Sequence, residues 1–194
     1  MIISISGLPG SGKSTVAKML SEKLGWERIY MGGIMRQMAD KKGVSILELM
    51  KQAETDGSID EDVDNYVSDL GKTKDNFIIE SRTAFHFIPD SLKVYLKVDP
   101  GEGAKRIFKD LGKADRKEED RANNPVQLAK FLAERVAIDQ ERYQKYYGID
   151  FQNENNYDLV INSTNLTPED VMEKIMVEVE KAQVEEGQEV ESDI

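Results

Sequence analysis

The apolar run from Met1 to Ile5 opens directly onto Gly7-Leu8-Pro9-Gly10-Ser11-Gly12-Lys13-Ser14, and few short stretches leave a chain less choice of fold. A strand, a glycine-rich turn and a helix beginning at Lys-Ser make the phosphate loop G-x-x-x-x-G-K-[ST]. Gly7, Gly10 and Gly12 let the backbone wrap until successive N–H groups converge on an anion, and the helix N-terminus adds its own unpaired donors. Lys13 brings a full positive charge to the β- and γ-phosphates of ATP. Ser14 offers a hydroxyl to Mg²⁺, a cation that takes oxygen ligands and keeps most of its waters. The expected ATP cradle is therefore Gly7, Leu8, Pro9, Gly10, Ser11, Gly12, Lys13, Ser14 and Thr15.

Beyond the loop, strand-length and helix-length patterns alternate. Short apolar runs at Ile2 to Ile5, Trp26 to Met31, Asn76 to Glu80, Leu92 to Val98 and Asp158 to Asn162 read as strands. Helical spacing appears from Lys13 to Leu24, closed by Gly25. A helix carrying Arg36 follows Gly32-Gly33, and another follows Ser45, whose Glu48 three residues on completes a capping box. Asp60 to Leu70 makes a further helix, and Asn124-Pro125 starts a long one that runs to about Tyr147 before Gly148. This alternation predicts an α/β fold: a five-stranded parallel sheet with helices on both faces, in one domain over 1–182. The polar stretch between the fourth and fifth strands is expected to form a lid over about 105–124, and the acidic end, 183–194, to be disordered.

A net charge of −11 argues against a nucleic-acid ligand, so an anionic substrate must be held by a local arginine cluster. The absence of cysteine excludes disulfides, thiolate metal sites and a cysteine nucleophile, while the single His86 excludes a multi-histidine zinc site. No apolar run reaches the ~18 residues that would suggest a membrane span. Nor does a signal-peptide pattern precede the first strand, so a cytoplasmic protein, a monomer, is expected.

Ligands of such sheets sit at the carboxyl ends of the strands. Glu80, ending the third strand, is placed to help hold Mg²⁺ with Ser14, and Arg82 follows it. On the long helix, Leu128, Phe131, Leu132, Arg135, Ile138, Asp139 and Arg142 share one face, since residues advance by about 100°. Its first half is an apolar stripe; its second half substitutes Arg, Asp and Arg, a set suited to a phosphate and a sugar hydroxyl. An intrahelical ion-pair ladder is the competing reading of that spacing. Arg36 can reach the same crevice, whereas Arg106, Lys109, Arg116 and Arg121 lie in or beside the lid. His86 reads as a packed or surface side chain, because transfer between phosphates needs no strong base.

Taken together, GLPGSGKST, Gly43-Val44-Ser45, IIESR, the R-x-x-x-D-x-x-R of Arg135, Asp139 and Arg142, RYQKYYGID and YDLVINST resemble the archaeal-type cytidylate kinases, from Met1 to about Glu180. The resemblance implies a nucleoside monophosphate kinase with a monophosphate-binding insert, roughly Met31 to Lys74, and a lid. It implies transfer of the ATP γ-phosphoryl group to CMP, with dCMP as a second acceptor. Arg36, Arg82, Arg135 and Arg142 would hold the monophosphate, Asp139 would face its ribose, and Lys13, Arg82, Arg116 and Arg142 would act on the moving phosphoryl group. The chain departs from the family pattern at Gly33, Ser81 and Thr83, all near the monophosphate. An AMP or UMP kinase with the same machinery, and an ATP-binding protein that transfers nothing, are the alternatives.

Overall fold

The computed structural model describes residues 1–111 and 122–192. Five strands, β1 (Ile2–Gly7), β2 (Glu27–Tyr30), β3 (Phe77–Glu80), β4 (Leu92–Lys97) and β5 (Leu159–Asn162), form one sheet in the order β2-β3-β1-β4-β5. Every neighbouring pair is parallel, as the alternation predicts. The order puts β1 at the centre, and its register sets Ile5 beside Glu80 of β3 and Gly7 beside Leu96 of β4. The phosphate loop and the carboxylate of β3 are thus brought to the same end of the sheet by strand pairing alone.

Side-chain alternation gives β1 two different faces. Ile3 and Ile5 pack with Val16, Ala17 and Leu20 of α1 (Lys13–Leu24) and with Val171, Ile175 and Val179 of α8 (Pro168–Ser192). Ser4 and Ser6 face the other way, and Ser4 Oγ is 2.8 Å from Ser91 Oγ in the interior. That second face is closed by Ile29, Phe77, Ile79, Val67 and Leu70, the last two from α4 (Ser58–Thr73), together with Ala84 of the single-turn α5 (Ala84–Phe87). Helix α1 stops where expected, with Gly25 in the left-handed region at φ 70°.

The insert comprises α2 (Met31–Lys42), α3 (Ile46–Ala53) and α4. Ser45 and Glu48 form the expected capping box at the start of α3. Ile46 and Met50 of α3 pack on Ile138 of α7 (Pro125–Tyr147), which ties the insert to the long helix. The N-terminal half of α7 instead packs through Leu128 and Leu132 on Ala104 and Ile107 of α6 (Pro100–Lys109).

Residues 105–109 are the end of α6, packed on α7 through the apolar stripe of Ala104 and Ile107, and the polar part of the expected lid that carries Arg116 and Arg121 lies outside the described residues. One expected boundary needs correction. The acidic end was expected to lack structure, yet α8 continues to Ser192. Thr167 and Asp170 start this helix by exchanging side-chain-to-backbone hydrogen bonds, a cap followed by Pro168 at the first helical position. Among the described residues no helix is long and apolar enough to cross a membrane.

Candidate active site

The glycines of the loop do different physical work. All three lie at positive φ, 141° at Gly7, 76° at Gly10 and 91° at Gly12. A Cβ on Gly10 would stand 2.2 Å from the carbonyl oxygen of Gly103 on α6, whereas one on Gly12 would meet nothing within 4 Å. Gly10→Ala should therefore destabilise the fold by about 3 kcal/mol or more through steric conflict with backbone. Gly12→Ala should cost only the ~1–2 kcal/mol of a left-handed alanine. Chemical denaturation of both variants checks this; equal losses would mean that α6 yields.

Lys13 Nζ donates to the carbonyl oxygens of Gly7 and Leu8, both at 2.8 Å, and lies 3.5 Å from Ser11 Oγ. Pro9, Gly10, Ser11, Gly12, Lys13, Ser14 and Thr15 line a cleft of about 580 Å³. Gly7 and Leu8 stand behind that wall and contribute the carbonyls that receive the lysine. The loop is fixed from below by Ser163, at the end of β5, whose hydroxyl bonds the Ser11 carbonyl at 2.9 Å.

Ser14 Oγ donates to Glu80 Oε2 at 2.7 Å, so the hydroxyl and the carboxylate expected to serve a cation converge. The donor set is all oxygen and small, which fits Mg²⁺ held largely by phosphates and water. Among the described residues no group of three or more His, Cys, Asp or Glu side chains gathers into a fuller cage. The other oxygen of Glu80 is held by Arg28 Nε at 2.5 Å, and the Arg28 guanidinium lies 5.4 Å from the centre of the Tyr30 ring.

Opposite the loop, Arg36, Arg82, Arg135, Asp139 and Arg142 line the same cleft. Arg135, Asp139 and Arg142 are buried although they belong to a helix surface, so the polar half of the α7 stripe faces the site and not solvent. Asp139, fully buried, accepts a hydrogen bond from Arg142 Nη2 at 3.0 Å and forms an ion pair with Arg82. The ladder is therefore interior, and it joins α7 to the end of β3. Burial lowers the pKa of Arg82, with Tyr143 opposing the shift and Arg142 and Arg36 reinforcing it. The guanidinium nonetheless keeps its charge at neutral pH. Its flat face lies 5.4 Å from the Phe151 ring centre. Nearby, burial raises the hydroxyl of Tyr95 to about 12 and pushes that of Tyr157 up as well, so neither serves as a base at neutral pH.

Arg36 Nη1 donates to Tyr30 Oη at 2.7 Å and to the Gly32 carbonyl at 3.2 Å. This explains Gly33: a Cβ there would come within 2.9 Å of the Tyr30 ring. The other departures from the family pattern, Ser81 and Thr83, both line the cleft and bond one another, the Thr83 N–H donating to Ser81 Oγ at 3.1 Å. Arg106 also lines the cleft, and its Nη2 donates to the carbonyls of Ser163 and Thr164 at 3.0 and 2.8 Å. His86 is exposed, in edge-on ring contacts with Phe85 and Phe87 and a tilted one with Tyr147, and lies outside the cleft lining.

A phosphate loop on the central strand of a parallel sheet of this order, facing a cleft walled by arginines, defines a P-loop kinase fold. The chain belongs to the cytidylate kinase-like family, whose model matches residues 2–165. It is 40% identical over 174 residues to the cytidylate kinase of Sulfurisphaera tokodaii, covering 88% of this chain and 91% of that protein. To the cytidylate kinase of Archaeoglobus fulgidus it is 37% identical, over 96% of this chain and 99% of the relative. The fold is also that of a shikimate kinase from Bacteroides thetaiotaomicron, with TM-score 0.63 at 17% identity over 93% of this chain and 98% of the other.

Proposed function

We propose that this chain transfers the γ-phosphoryl group of ATP to the phosphate of CMP, giving ADP and CDP, with dCMP as a second acceptor. The observation that carries the reading is the convergence on one cleft of the phosphate loop and five acceptor-side residues, Arg36, Arg82, Arg135, Asp139 and Arg142. The family membership and the names of the archaeal relatives support CMP as the acceptor.

In this reading the loop amides and Lys13 hold the ATP phosphates, and the arginines hold the acceptor phosphate in line with them. Catalysis is positioning together with neutralisation of charge, and needs no general base of raised pKa. Ser14 and Glu80 would hold Mg²⁺, which supplies further neutralisation of the transferring group when bound. Arg28 orients Glu80 for that task. Arg116, outside the described residues, would add a further positive charge to the moving phosphoryl group.

The test is ADP formation from Mg·ATP with CMP, dCMP, UMP, AMP and no acceptor. CMP-dependent turnover well above the acceptor-free rate is expected. Turnover confined to AMP or UMP, or independent of any acceptor, would overturn the assignment.

A further inference from the structure

The helices of the insert contribute a part of the cleft that phosphate chemistry does not use. Met31 and Met35 of α2, Met50 of α3 and Val63 of α4 line it, so all three helices supply apolar side chains to a polarisable wall against which a flat ring can lie. Asp64, next to Val63, lines the cleft too and is only 9% exposed. Its carboxylate accepts a hydrogen bond from Tyr147 Oη at the end of α7. Tyr147 is itself held by ring contacts with Phe87 and Tyr143, at 5.3 and 6.2 Å between centres. Of the other carboxylates that line the cleft, Glu80 faces Ser14, Asp139 joins Arg82 and Arg142, and Asp110 caps the far end of α6. Among the described residues that line the cleft, Asp64 is the one carboxylate on the insert.

We propose that Asp64 reads the base of the acceptor, taking a hydrogen bond from the exocyclic amino group of cytosine, with Tyr147 as its positioning residue. The proposal rests on the monophosphate-kinase reading above. An ionised carboxylate only accepts hydrogen bonds. Cytosine presents an amino donor at C4, which acidic side chains recognise, whereas uracil presents an oxygen there that would face the carboxylate lone pairs. The same carboxylate would accept from the amino group of adenine, so exclusion of AMP falls to the size of the slot between the insert helices and not to Asp64.

The experiment measures kcat and KM for CMP and UMP, at saturating Mg·ATP, for the wild type, Asp64→Asn and Tyr147→Phe. Asp64→Asn is expected to lower the CMP:UMP ratio of kcat/KM at least tenfold, because its amide can donate to uracil. The change should fall on the KM of the monophosphate, with the KM of ATP unmoved. Tyr147→Phe should lower the ratio in the same direction by a smaller factor, and it carries the test alone if Asp64→Asn does not fold. Equal losses toward CMP and UMP, or an unchanged ratio, would overturn the role of Asp64 while leaving the kinase assignment standing. A wild type without CMP-dependent turnover would overturn both, and that is visible before any variant is made.

Discussion

Lys13→Ala is expected to lower kcat/KM about 10³-fold, roughly 4 kcal/mol of transition-state stabilisation, while leaving the melting temperature within about 2 °C of the wild type. The two halves of this expectation have separate physical grounds. The ammonium is folded back on its own loop, donating to the carbonyls of Gly7 and Leu8 at 2.8 Å. These bonds lie on a part-buried surface, and water can replace the ammonium on both carbonyls, so stability changes little. In the proposed transfer the same charge would face phosphate oxygens whose negative charge is moving, where a point charge held in a low-dielectric cleft counts for far more than in water. Steady-state ADP formation and a thermal melt on one preparation check both halves. Turnover near the wild-type rate would remove the phosphate loop from the chemistry; a large loss of stability would make Lys13 a structural brace.

How much of this site can be read from a linear sequence depends on how local each constraint is. The phosphate loop is legible because its eight residues and the flanking strand and helix are contiguous, and the caps at Ser45 and Asn124 are legible for the same reason. The inward face of α7 is legible because helical periodicity converts spacing into direction, and all but Phe131 of the seven residues assigned to it are buried. What periodicity cannot give is the partner across space. The Arg28–Glu80 pair depends on β2 lying beside β3, and Arg28 reads in sequence as an ordinary polar residue of a short edge strand. The link from Tyr147 to Asp64 spans 83 residues and three-dimensional packing of two helices. Helix α5, four residues long, has no period to detect. The last turns of α8 carry a composition that suggests disorder, yet they continue a helix whose cap at Thr167 and Asp170 could have been recognised as S/T-x-x-[DE].

The most consequential of these non-local links runs through Asp139. Sequence spacing offers a choice between a ligand of the ribose and a member of a ladder on the helix surface. The geometry combines burial with pairing: the carboxylate is fully buried, the Arg142 and Arg82 side chains are 2% and 15% exposed, and both guanidiniums converge on it. A surface pair would contribute ~0–1 kcal/mol. Removing one charge from a buried cluster instead leaves the others uncompensated, at a cost of ~3–5 kcal/mol. Asp139→Asn is therefore expected to lower the melting temperature by roughly 10 °C, at about 2–4 °C per kcal/mol for a chain of this size, and to raise the monophosphate requirement because Arg82 and Arg142 lose the group that aims them. The source of the loss is itself testable. If uncompensated positive charge dominates, adding Arg82→Met to Asp139→Asn should restore part of the lost stability without restoring activity, a non-additivity that a double-mutant cycle measures directly. Additive losses in that cycle, or a melting temperature that Asp139→Asn leaves unchanged, would mean that the carboxylate does not neutralise this arginine cluster and that its burial serves the ligand alone.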